Sequence, residues 1–358
     1  MKTDIEDFRK KIDKIDDELM RMLTKRSELC LKIGEQKRHT TMNVFDPDRE
    51  SSILNRLASK IESPLRESFV NDLFSLIFSY SRSLQQKKQI AYLGPEGSYS
   101  HQAAYSAFRY DACLMPFSGI EDVIGEVRAG RADLGVVPVE NSTEGMVHLT
   151  LDTLITSKLY VCKEIMLPIR NSLLSHVTPE KITNVFSHPQ ALAQCRNWLR
   201  ANLPGVETIE TKSTSQACIA VRNHESAAAI ASSHAAHLYG LPIVEQNIND
   251  TQDNITRFWI LSRNAVSAKN RAKTSIIITL ENVPGALFNA IGVFASQGIN
   301  LTKIESRPSR KGQWEYVFFI DFQGSLDDEP VRQVMLDLVD LTKDIIVLGS
   351  YPEGEMLK

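Results

Sequence analysis

Near the start of the chain, cations stand where apolar side chains are due. Ile5, Phe8, Ile12, Ile15, Leu19, Met22, Leu29 and Ile33 step by threes and fours, the spacing of one apolar stripe along a helix. Four residues beyond Met22 is Arg26, four beyond Ile33 is Lys37, and Arg9 lies at the edge of the stripe. A cation on a buried face is costly unless it is paired. Snorkelling past the stripe would serve one long side chain, but serves several on one face less well. Candidate partners inside the chain are Glu28, Asp46 and Glu50, and a later helix adds Ser81 and Gln85, one turn apart. The other partner that fits such a face is a small dianion, and that reading is preferred.

A second polar set occupies loops. "GPEGSYSH" (94–101) follows the strand-like "QIAYL", "VENSTEG" (139–145) follows "LGVVP", and each opens a helix. Strands often end in Ser, Thr or Asn merely to cap the next helix. Two such loops at strand carboxyl ends point instead to a ligand cleft, and helix N-termini favour anions. The first loop has neither the Lys of a P-loop nor the glycine spacing of a dinucleotide site, so no nucleotide is expected. "SHPQALAQC" (187–195) and "NITRF" (254–258) complete the set. His188, before Pro189, has a structural alternative as a helix cap.

The elements that must hold these residues fall into three zones, as 358 residues allow. The first, to about residue 86, has Gly34 as its one glycine and reads as a long helix followed by two shorter ones. The long helix cannot bury its stripe alone, so an intertwined dimer is expected. From Gln89 to about Arg263, strand-like and helix-like runs alternate, which predicts an α/β domain of two lobes with a cleft between them. After the polar stretch "NAVSAKNRAK" (264–273), the order βαββαβ predicts a small ferredoxin-like domain.

Composition narrows the classes. A net charge of −3 argues against nucleic acid and anionic membranes as partners. No apolar run is long enough to span a membrane, the charged start has no apolar signal region, and a cytoplasmic location is expected. The five cysteines lack CxxC spacing and read as reduced thiols. Neither a metal nor a cofactor is expected.

The first zone resembles the AroQ-type chorismate mutases over most of residues 5–86. That resemblance implies that Arg26, and Arg9 from a partner chain, hold the carboxylates of chorismate. It further implies that Lys37 and Gln85 bond the ether oxygen, with Asp46, Arg49, Glu50 and Ser81 completing the pocket. The four loop motifs resemble prephenate dehydratase over residues 89–263. Glu140, Asn141, Gln194 and Thr256 match positions that family uses, with Ser98, His188 and Arg257 as nearby candidates. The resemblance implies a leaving hydroxide eased by Thr256, with Glu140 or His188 managing the proton. The last zone resembles an ACT domain. "PGALF" (284–288) and "IESRP" (304–308) carry the likeness and imply a phenylalanine site at Gly285, Ala286, Leu287, Asn300, Glu305, Ser306 and Arg307, where two copies meet. There the plainer alternative pairs Glu305 with Arg307 on the surface.

Together these resemblances imply a mutase domain at 1–87, a dehydratase domain at 88–265 and a regulatory domain at 273–353. The expected activity is conversion of chorismate to prephenate and then phenylpyruvate, inhibited by L-phenylalanine, in a homodimer or larger homo-oligomer. Two other readings compete. One is a non-catalytic two-lobed sensor of amino acids or dicarboxylates. The other is a dehydratase whose helices only dimerise. The coexistence of both polar sets argues against the first, and the stripe cations argue against the second.

Overall fold

The computed structural model describes residues 2–38, 47–85, 87–109, 112–222, 224–266, 268, 271–308 and 316–357. Two compact units emerge, one formed by residues 1–88 with 108–113, the other by 89–107 and 114–358.

The first unit is helical: α1 (Lys2–Arg38), α2 (Pro47–Ala58) and α3 (Glu67–Gln85). The threes-and-fours stripe makes α1 a single helix of 37 residues, about 55 Å long. Its C-terminal part packs on α3, around Cys30, Val70 and Phe78. Gly34 permits the closest approach, since a Cβ there would lie 2.8 Å from Gln85 Cα. The N-terminal part of the stripe stays open to solvent, with Phe8 61% and Ile12 55% exposed.

The second unit begins with a lobe of β1 (Lys88–Leu93), α4 (Tyr99–Phe108), β2 (Ala112–Phe117), α5 (Ile120–Ala129), β3 (Leu134–Asn141), β4 (Gly145–Met146), α6 (His148–Ser157) and β5 (Tyr160–Pro168). The chain then builds another lobe from β6 (Ser172–Ser175), β7 (Asn184–Ser187), α7 (Pro189–Gln194), α8 (Arg196–Asn202), β8 (Glu207–Glu210), α9 (Thr214–Val221), β9 (Ala227–Ala231), α10 (Ser233–Tyr239) and β10 (Ile243–Glu245). It returns through β11 (Ile255–Ser262), which inserts between β3 and β5 and runs antiparallel to both. The lobes thus have separate sheets, ordered β5-β11-β3-β1-β2 and β10-β6-β9-β7-β8. Short buried side chains in β9, "AAAIA", let helices pack closely on the second sheet.

The last domain runs β12 (Ala272–Leu280), α11 (Ala286–Ser296), β13 (Leu301–Pro308), β14 (Tyr316–Gln323), α12 (Glu329–Leu341) and β15 (Asp344–Pro352), with sheet order β13-β14-β12-β15. This is the ferredoxin-like arrangement. One face, carrying Ile276, Ile278 and Phe322, is covered by α11 and α12. The other, carrying Ile277, Phe319 and Tyr351, shares a core with Val139, Val161 and Trp259 of the first lobe. The tail β16 (Glu355–Met356) then pairs with β5. Beyond residues 264–273, therefore, the chain packs back onto the sheet of the first lobe rather than hanging free of it.

Candidate active site

A cleft of about 400 Å³ opens between the two lobes, within the usual range for small-molecule sites. The first lobe contributes Ser98, Tyr99, Asn141, Glu144 and Thr256, and the second contributes Asn171, His188, Gln194 and Lys212–Thr214. Asn141 and Thr256 are register partners on β3 and β11 and are almost fully buried. Asn141 Oδ1 accepts from the backbone N–H of Thr143 (3.0 Å) and Glu144 (3.2 Å). That orients the amide, and Nδ2 donates to Asn254 Oδ1 at 2.8 Å and Thr256 Oγ1 at 2.9 Å. With both protons of Asn141 committed and its own oxygen accepting, the Thr256 hydroxyl keeps its proton for a ligand.

Across the cleft, Gln194 Oε1 accepts from Asn171 Nδ2 at 3.3 Å, and Asn171 Oδ1 accepts from Tyr99 Oη at 2.7 Å. His188 Nδ1 accepts from Gln190 N at 3.3 Å. The ring therefore caps α7 and also lines the cleft, so its structural and site readings coexist. Ser98 serves likewise: its Oγ accepts from His101 N at 3.1 Å. Lys212, Ser213 and Thr214 escaped the sequence reading. Their signal is the same strand–loop–helix pattern as the two quoted loops, with Ser213 capping α9 through Gln216 N.

The lobes also meet behind the cleft. Tyr239 Oη donates to Glu96 O at 2.8 Å. His101 Nδ1 accepts from Gly97 N and faces His234 Nε2, both at 3.1 Å. With Nδ1 already accepting, His101 is neutral and His234 donates. Burial, then the neighbouring His234, pushes the His101 pKa down to about 4.

Glu140 and Arg257 do not line this cleft. Successive strand residues face opposite sides, so neighbours of Asn141 and Thr256 point away from it, toward the last domain. There Glu140 accepts from Lys303 Nζ at 2.5 Å. Arg257 pairs with Asp321 at 2.7 Å and with Glu164. Burial disfavours its charge, but Asp321 and Glu164 outweigh that and raise its pKa. Among the described residues, the carboxylate that lines the cleft is Glu144.

In the helical unit, Arg26 donates to Ser81 Oγ, lies 3.8 Å from Cys30 Sγ and covers the Phe78 ring at 5.8 Å. Gln85 Nε2 donates to Ser81 O at 3.3 Å, while Gln85 Oε1 is buried with no partner among the described residues. Arg26, Ser81 and Gln85 are thus brought together. Glu50 pairs with Arg82, a cation on α3 rather than on the α1 stripe. Arg9 is exposed, Lys37 is half-buried and Arg49 lies on α2, while Asp46 falls outside the described residues.

In the last domain, Gly285 has φ +84° and starts α11, where left-handed backbone suits glycine. Ala286 and Leu287 follow, half-buried. Asn300 O accepts from Gln323 N at 3.0 Å. Along edge strand β13, the pleat sends Glu305 and Arg307 toward the first lobe and Ser306 to the other face. Arg307 pairs with Asp152 at 3.0 Å, which replaces the Glu305–Arg307 surface pair.

A helical unit holding a cation against polar groups, a two-lobed cleft and a ferredoxin-like domain define a multidomain enzyme acting on small molecules. Three family models match in succession: chorismate mutase type II over residues 8–86, prephenate dehydratase over 90–266 and ACT domain over 274–340. A bifunctional chorismate mutase/prephenate dehydratase from Aquifex aeolicus (strain VF5) is 42% identical over 357 residues, 98% of each chain. The one from Escherichia coli (strain K12) is 32% identical over 98% of this chain and 96% of that one. The solved prephenate dehydratase from Arthrobacter aurescens in complex with L-Phe matches with TM-score 0.69 and 32% identity, over 74% of this chain and 90% of that one. The chain belongs to the bifunctional chorismate mutase/prephenate dehydratase family. It is an isomerase and a lyase of phenylalanine biosynthesis in one polypeptide.

Proposed function

We propose that the helical unit rearranges chorismate to prephenate and that the interlobe cleft converts prephenate to phenylpyruvate. We assign them to residues 1–87 and 88–265, with residues 273–353 binding L-phenylalanine. In the mutase, Arg26 binds a substrate carboxylate, and Lys37 meets charge developing on the ether oxygen. Holding the two reacting ends together supplies much of the acceleration. Gln85 donates an amide N–H to the same oxygen. Arg9 lies seventeen residues from Arg26, about 25 Å along one helix. That distance and the exposed stripe on α1 favour a second copy, whose Arg9 completes the pocket.

In the dehydratase, Lys212 and the N-terminus of α9 attract the carboxylates. The bond from ring to carboxylate breaks and CO2 leaves, its electrons aromatise the ring, and hydroxide departs as water after taking a proton. Thr256 donates a hydrogen bond to the departing oxygen, and of the two groups implied for handling the proton, Glu140 and His188, His188 is the one that lines the cleft. The observation that carries this reading is the committed Asn141 amide, which leaves the Thr256 proton for the substrate. The test is to incubate the protein with chorismate and follow both products over time. Prephenate is expected first and phenylpyruvate after it; accumulation of neither overturns the assignment.

A further inference from the structure

Each catalytic strand of the dehydratase carries two adjacent residues with different audiences. On β3, Asn141 faces the cleft and Glu140 faces the last domain. On β11, Thr256 faces the cleft and Arg257 faces the last domain. Glu140 and Arg257 are register partners across β3 and β11, with 3.6 Å between their charged groups. Opposite them stand Lys303 and Asp321, which are register partners across β13 and β14. Lys303 meets Glu140 at 2.5 Å and Asp321 meets Arg257 at 2.7 Å. The four residues form a square of alternating charge, with one side on each sheet.

Its surroundings tie this square to the backbone. Arg257 also bonds Glu164, which is fully buried and is held by Lys273 Nζ at 2.8 Å and Gly354 N at 3.1 Å. Asp321 Oδ1 accepts from Ser275 Oγ at 2.5 Å. Charges in such a setting are weakly screened, and breaking one pair strands another. A shift of β13 or β14 therefore pulls on Glu140 and Arg257. Because Asn141 and Thr256 are their covalent neighbours, the donor geometry in the cleft moves as well. Lys303 lies two residues before Glu305, on the strand assigned to phenylalanine.

We propose that this square couples the regulatory domain to catalysis: Lys303 transmits the position of β13 to Glu140, and Glu140 and Arg257 position Asn141 and Thr256. The inference rests on the phenylalanine reading given above. A square that merely glued the domains together would affect stability but leave the response to phenylalanine intact.

The test uses full-length protein. Lys303→Met and Lys303→Arg are compared with the parent for dehydratase kcat and KM, with and without saturating phenylalanine, and for phenylalanine binding by calorimetry. Lys303→Met is expected to turn over prephenate without effector within about threefold of the parent, still to bind phenylalanine, and to lose the inhibition by about fivefold or more, the lower end of typical coupling. Lys303→Arg, which keeps the charge, is expected to restore it. Asp321→Asn, which loosens the other corner, is expected to weaken inhibition too and serves if Lys303→Met does not fold. Full inhibition in both Lys303→Met and Asp321→Asn overturns the coupling while leaving the phenylalanine site standing. Absence of phenylalanine heat in the parent overturns both.

Discussion

Replacing Thr256 with Val removes one hydroxyl and nearly nothing else. The side chains have the same branched shape, so the strand and its packing are kept. Asn141 Nδ2 loses its 2.9 Å acceptor but keeps Asn254 Oδ1 at 2.8 Å. The structural cost is therefore one buried N–H left unpaired, about 1–3 kcal/mol. The catalytic cost is larger, because a donor aimed at developing charge is worth about 2.7–4 kcal/mol, or roughly 10²–10³ in kcat. The dehydratase of Thr256→Val is thus expected to fall at least about a hundredfold with added prephenate. Its mutase is expected to remain, so prephenate accumulates from chorismate. Thr256→Ser keeps the hydroxyl and is expected to keep most of the activity. Phenylpyruvate formation reads all three proteins. If Val stays within about threefold of Thr, or if Ser and Val fall equally, the hydroxyl is not the donor and the reasoning from the Asn141 amide is wrong.

Arg26→Ala is expected to reduce chorismate turnover by about 30- to 5,000-fold, the range for losing a buried charge-assisted pair, while added prephenate is still consumed; unchanged turnover would remove Arg26 from the pocket. Gly34→Ala sets a Cβ 2.8 Å from Gln85 Cα, so α1 and α3 must separate. Mutase activity and the melting of the helical unit are expected to fall together, and normal values for both would refute the close packing. For pH, His101 is held neutral in the folded protein, at about 4 against an ordinary 6.5. The unfolded chain then binds the extra proton first, so this contribution is complete above pH 6.5 and is lost as pH falls toward 4. Urea midpoints across that range are expected to drop less in His101→Gln than in the parent, and parallel curves would count against the histidine contact.

Local sequence was enough to determine the elements and their order. The step of threes and fours made α1, the alternation of strand and helix made the lobes, and the βαββαβ order made the last domain. These patterns are periodic and need only near neighbours to be read. It was also enough to mark Arg26 on its stripe and Ser81 with Gln85 one turn apart, while the packing of α1 on α3 brought them together. What tertiary structure alone decided was which face looks where. Glu140 and Asn141 adjoin in sequence, as do Thr256 and Arg257, and all four were assigned to one cleft. The pleat divides them, but its two faces are distinguished only by what packs on each: the second lobe over Asn141 and Thr256, the last domain over Glu140 and Arg257. The partners themselves come from afar, Lys303 meeting Glu140 and Asp321 meeting Arg257. Lys212 reaches the cleft, and Glu50 chooses Arg82, for the same reason. A short-range pattern states which side chains share a side, while long-range packing alone sets the charges that stand opposite them.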